Sequence, residues 1–139
     1  MATVREQILE KMVAVLNAGA IGAPVYRSRT DPVSRNQSPA VIISPVTDQA
    51  TLVSIEFFEW SLTVHVVLYV RGPAPDVLAD PIVAAIHAAL MADMTLGNLV
   101  ETIEPVSTHF EFSDTDAEVC VATGEFKISY RTSQQDLTR

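Results

Sequence analysis

The chain predicts an α+β fold: a mostly antiparallel (mixed) β-sheet with two helices packed on one face, in the order α-β-β-β-α-β-β. Apolar residues recur at helical spacing near the N-terminus and again after residue 80. Elsewhere apolar and polar residues alternate at period two, the pattern of strands with one face on a core. Long strands with one helix between them place the helices on one side of an antiparallel sheet.

The first helix is expected over residues 4–18. Thr3 and Glu6 stand in S/T-x-x-E spacing, so hydroxyl and carboxylate can cap each other's backbone donors. Ile8, Met12 and Val15, with Leu9, Val13 and Leu16, make its apolar stripe. Gly19 and Gly22 offer stops, and Pro24 prevents resumption. Val25 to Arg29 reads as a strand, followed by a loop from Thr30 to Pro39 built on Asp31-Pro32, Ser34, Asn36 and Ser38. Ala40 to Val46 is β-branched and apolar and suits a buried strand interrupted at Pro45.

Residues 47–59 support two readings. Thr47-Asp48-Gln49 has the composition of a turn, after which Leu52, Val53, Ile55, Phe57 and Phe58 follow no clean period. They form either a strand or hairpin packed on the domain, or an apolar loop kept for a partner, since contiguous exposed apolar patches mark interaction sites.

Trp60 to Arg71 alternates without a break, with Trp60, Leu62, Val64, Val66, Leu68 and Val70 on one face. A strand of that length, roughly 40 Å if straight, has to twist, bend or run beyond its sheet. Gly72-Pro73-Ala74-Pro75 ends it. A second helix is expected with Asp80 as cap and Pro81 at its first position, Asp76 capping a preliminary turn. Ile82, Ile86, Ala89 and Leu90 form its stripe, and it should end near Asp93. Glu101 to Phe112 is a strand with Val106, Thr108, Phe110 and Phe112 on one side. Ser113 to Asp116 is a turn, and Glu118 to Thr132 is the last strand.

One domain over residues 1–139 fits the length, with the polar residues 133–139 fraying. A hydrophobic fraction of 48% and a mean hydropathy of +0.25 fit a packed globule rather than a disordered chain. No apolar run approaches a membrane span, and the first residues contain no apolar signal-peptide core. The single Cys120 forms no internal disulfide and suits a reducing cytoplasm. The net charge of −8 opposes binding to phosphate backbones, so no sequence-specific nucleic-acid contact is expected. Solubility alone accounts for it; an acidic wall that keeps passing DNA from sticking to a channel is the functional alternative.

Residues able to carry chemistry are scattered. His65, His87 and His109 lack the close spacing of a zinc site, and Cys120 sits mid-strand in Val119-Cys120-Val121 like a small hydrophobe. The chain has no G-x-S-x-G elbow, P-loop or dinucleotide-binding turn. Asp114, Asp116 and Glu118 start like a calcium loop without its glycine and closing glutamate. No catalytic residue, no cofactor and no metal ligand is therefore assigned. Asp76 and Asp80 suit capping and dipole compensation, or more weakly a shared Mg²⁺ or Ca²⁺ at a subunit boundary. Arg27, Arg29 and Arg35 suit either pairing with carboxylates of a neighbouring copy or an edge protected from strand aggregation.

Several segments together resemble the phage tail terminator and minor tail protein U-like family. They are Val25-Tyr26-Arg27 to Thr30, then Ser38-Pro39-Ala40-Val41-Ile42, Trp60 to Val66, and Arg71-Gly72. Asp80-Pro81-Ile82 leading into Ile86 to Asp93, Thr95-Leu96-Gly97, Tyr130-Arg131-Thr132 and Asp136-Leu137-Thr138 complete the pattern, which spans nearly the whole chain. The resemblance implies a structural, non-enzymatic α/β subunit that forms a hexameric ring on the completed tail tube, stops its polymerisation and presents a surface for head–tail joining. The implied partners are copies of the chain itself, the tail tube protein and a neck protein. The implied location is the bacterial host cytoplasm during assembly and then the virion tail.

On that reading the interface residues are Arg27 and Arg29, the stretch containing Leu52, Ile55, Phe57 and Phe58, and Asp76 with Asp80. A monomer is expected in dilute solution, and a ring on concentration, with divalent ions or on the tube. The rival readings are another neck or head-completion subunit, a module binding a host protein, and a small hydrolase using Cys120 or a histidine pair.

Overall fold

The computed structural model describes residues 2–28, 38–113 and 118–139; Arg29 at the end of the expected first strand, most of the expected Thr30–Pro39 loop with Arg35, and Asp114 to Asp116 of the expected turn lie outside them. The elements run α1 (Val4–Ala18), β1 (Val25–Arg27), β2 (Ala40–Leu52), β3 (Phe57–Arg71), α2 (Pro75–Met91), β4 (Thr102–Phe112) and β5 (Val119–Ser133). The five strands form one mixed sheet in the order β1-β2-β3-β5-β4; β1 runs parallel to β2 and every other pairing is antiparallel.

β3 and β5 are the centre. They pair continuously from Phe57 opposite Ser133 to Arg71 opposite Val119. Alternation in both strands sends Leu62, Val64, Val66, Leu68 and Val70 to the same face as Cys120, Ala122, Phe126, Ile128 and Tyr130, all buried. Both helices cover this face: Ile8, Leu9, Met12 and Leu16 of α1 and Ala79, Ile86 and Leu90 of α2 join the same core cluster. Among the described residues no helix is long and apolar enough to cross a membrane.

Several boundaries differ from expectation, each for a local reason. In α1 the Thr3 hydroxyl accepts from the Glu6 N–H at 3.2 Å, but the Glu6 carboxylate turns to Arg27, so the capping box is half made. β1 stops at Arg27 because Ser28 has a φ of 45°, outside any strand conformation. Thr47-Asp48-Gln49 is strand, not turn: a bulge between Pro45 and Thr47 absorbs one residue, and pairing resumes from Thr47 opposite Thr63 to Leu52 opposite Phe58. β3 accordingly starts at Phe57 rather than Trp60.

The second helix starts at Pro75, with Ala74 in the left-handed conformation before it, so Asp80 is not a cap and Pro81 lies inside the helix. Pro75 takes the first-turn position, where a missing N–H costs nothing, and leaves Pro81 a turn and a half further on. Pro81 removes the amide partner of the Val77 carbonyl, which lies on an exposed side of α2 and can reach water. Asp93 stands just beyond α2 and accepts from the N–H groups of Thr95 and Gly97, at 3.1 and 2.8 Å, ordering the turn that follows. These bonds, first of all that from the Thr95 hydroxyl, hold its carboxyl below the usual range. The C-terminal segment, expected to fray, makes backbone contacts: the Val4 N–H donates to Leu137 at 2.8 Å and the Gln134 N–H to Glu56 at 3.2 Å.

Leu62, fully buried between Ile128 and the arm side of β2, tests this core: Leu62→Ala should cost about 2–5 kcal/mol, measured by chemical denaturation. A cost under about 1 kcal/mol would place the core elsewhere.

Candidate functional site

The sheet outruns its helices at one end. Past the bulge, β2 and β3 continue as a two-stranded arm whose turn spans residues 53–56. The Ser54 hydroxyl accepts from the N–H groups of Glu56 and Phe57, at 3.1 and 3.3 Å, and the Gln134 amide donates to the Ser54 carbonyl at 3.2 Å. The tip is apolar and uncovered: Ile55 is 88% exposed, Leu52 64% and Phe57 42%. Both readings of residues 47–59 thus apply in part, since the strands pair as a hairpin while its apolar side chains face solvent.

The root of the arm is organised. Phe58 meets Trp60 edge-on, and Trp60 stacks on Tyr130 with ring centres 6.3 Å apart and planes 13° apart. The Trp60 indole N–H donates to the Thr132 hydroxyl at 2.8 Å, satisfying two polar groups beside the core. Asp48, opposite Leu62, points to the helix-covered face, where its Oδ2 accepts from Arg5 Nη1 at 3.3 Å and from the Tyr130 hydroxyl. The Asp48 side chain is only 7% exposed, and its Oδ1 is buried without a partner among the described residues. Burial pushes the Asp48 carboxyl up, against the opposing pull of the Tyr130 and Arg5 hydrogen bonds. Burial, reinforced by the neighbouring Asp48, pushes the Tyr130 phenol up as well.

The expected interface residues do not converge. Leu52, Ile55 and Phe57 share the tip, and Phe58 is half-buried at its base. Arg27 faces inward: its guanidinium makes a bidentate pair with Glu6 of α1, at 3.0 and 3.1 Å, and holds that carboxyl below its usual range. Asp76 and Asp80 are exposed on α2, which begins just after β3 ends at Arg71, the end of the sheet opposite the arm. Among the described residues no group of three or more histidine, cysteine or acidic side chains could hold a metal ion.

The histidines and the cysteine occupy separate places. His65 and His109 line one shallow depression on the uncovered face of the sheet, beside Glu125 and Glu111 at 3.2 and 3.3 Å. His87 lies at a different groove of about 290 Å³, between α2 and β4, floored by Leu68, Ala122 and Phe126. Cys120 is buried on the helix-covered face, and burial raises its thiol above the usual value. Asp48, Arg5 and Tyr130 carry no motif that marks them as a cluster in the sequence. The available signal was an acid in period-two register with an apolar face, hidden because the bulge shifts that register.

Compared with known proteins, the chain matches no family model and no curated sequence.

The tip should be dispensable for folding. Ile55→Glu is expected to leave the melting temperature nearly unchanged, with a stability change within about 0.5 kcal/mol. A drop of more than about 2 kcal/mol would show that the tip packs on the domain.

Proposed function

We infer that the protein is a structural assembly subunit of the phage tail terminator kind, docking copies of itself into a ring on the end of a tail tube. The observation that carries this reading is the arm: a hairpin clasped at its root that presents Leu52, Ile55 and Phe57 to solvent. Apolar side chains kept exposed on an ordered element lose nothing on burial against a partner except water, which is the usual driving force of association. The order and spacing of the segments similar to tail terminators supply the kind of assembly. The net charge of −8 supplies long-range repulsion between free copies, so contact is favoured on a template or at high concentration. A head-to-tail contact of this sort closes into a ring when its rotation permits.

Two measurements check this. Sedimentation should give monomer when dilute and a single larger closed species on concentration or with divalent ions, and Ile55→Glu together with Phe57→Glu should keep the chain monomeric. A tight symmetric dimer under all conditions contradicts the reading. In cells producing the virus without this protein, electron microscopy should show abnormally long tubes. Tubes of normal length that fail to join heads would instead indicate a neck or head-completion subunit.

A further inference from the structure

Three elements meet at Asp48: β2 two residues past its bulge, α1 through Arg5, and β5 through Tyr130. Beyond this point the hairpin carries only half-buried and exposed side chains as far as Trp60. A bulge is where a strand bends and its twist changes, so Pro45–Thr47 is the natural pivot of the arm. Arg5 is a side-chain link from α1 across that pivot, and its side chain is 42% exposed, so it can swing into water.

We propose that the Arg5–Asp48–Tyr130 clasp is a protonation-controlled latch: ionised Asp48 ties the root of the arm to α1, and protonated Asp48 releases Arg5 so that the arm changes its angle while the domain stays folded. The inference stands whatever the arm docks against.

The groups that face Asp48 fix the direction of the response. Arg5 from α1 and the Tyr130 hydroxyl from β5 are the titratable or charged ones; Leu62, its partner on β3, is apolar. Both polar neighbours favour the ionised form, yet burial outweighs them and raises the carboxyl. Glu6, Asp93 and Asp136 are instead held below their usual range, by Arg27, by Thr95 and by Thr138. Asp48 therefore takes its proton before these acids as the pH falls. A carboxyl raised in the folded state contributes stability that is complete below its unfolded value and lost as the pH rises through the folded one. Protonating Asp48 thus cuts the ionic tie to Arg5 without destabilising the fold. Its unpartnered Oδ1 can carry that proton with no charge left buried.

The single tryptophan, Trp60, stacks on Tyr130 and reports on the site directly. The whole chain is titrated from neutral pH to roughly pH 4, with tryptophan emission and far-ultraviolet circular dichroism followed together. The latch gives one emission step with its midpoint above the usual aspartate value while the dichroism stays constant. Asp48→Asn removes the step, and Arg5→Gln moves its midpoint upward, because the guanidinium favours the ionised carboxylate. The proposal is overturned by the absence of a step in the native chain, by a step that survives in Asp48→Asn, or by a step that coincides with loss of secondary structure. Should Asp48→Asn fail to fold, Arg5→Gln decides: an unmoved or lowered midpoint is equally fatal.

Discussion

The antiparallel ladder between β3 and β5 is the constraint that the rest of the molecule obeys. Two fifteen-residue strands pair along their whole length and present one apolar face. At roughly 3.3 Å per residue they span about 50 Å, whereas helices of fifteen and seventeen residues at roughly 1.5 Å per residue reach about half as far. Helices of this length cannot cover such a sheet from end to end. Apolar side chains are thus left facing water beyond them, at Leu52 and Ile55 on one end and at Phe110 and Phe112 on the β4 edge, while Phe57 lies on the face of the sheet that carries no helix. The exposed apolar surface follows from this mismatch in length.

The two ends are finished differently. Toward the arm, the chain uses a bulge, an aromatic stack and a buried carboxylate with two donors, so that an overhanging hairpin has a defined root. Taking a carboxylate out of water is costly, and the Arg5 and Tyr130 contacts offset only part of that cost. Apolar residues at the same place would have packed with less penalty. The acid is informative for that reason: it couples the position of the arm to the charge state of one group. Toward β4, a second bulge at Pro105/Ser107, a proline and the acids Glu104 and Glu111 interrupt the free edge. Such features discourage strand-to-strand aggregation and leave side-chain contacts as the means of association.

Charge and shape act together in the proposed role. Of the described bases, Arg5, Arg27, Arg131 and Arg139 are paired with Asp48, Glu6, Glu101 and Asp136 of the same chain. Those pairs engage bases within the chain and leave an acidic exterior. An acidic exterior with an apolar projection repels its copies at a distance and attracts them at contact, which suits a subunit that assembles conditionally.

The sequence determined the strands and helices wherever a periodic pattern was long enough to outvote local breakers. Trp60 to Val70 and Phe126 to Tyr130 are in the structure what their alternation requires, and α1 begins and ends where its cap and glycines place it. The apolar stretch from Leu52 to Phe58 was legible only as a choice between a packed hairpin and an exposed loop, because side chains without a clean period do not say which face they take; the structure makes it a paired hairpin with an exposed tip. Local chemistry misled at Thr47-Asp48-Gln49 and at Asp80-Pro81, where turn-like and cap-like residues sit inside regular elements. There a bulge and an earlier proline change the register, and register is set by the partner strand and by the helix start, not by the residues themselves. Only the tertiary structure could turn Arg27 inward to Glu6, set Arg5 and Tyr130 on Asp48, and put the arm and Asp76 at opposite ends. Such pairings join positions far apart in the chain, and their energy depends on burial that exists only once the sheet has formed.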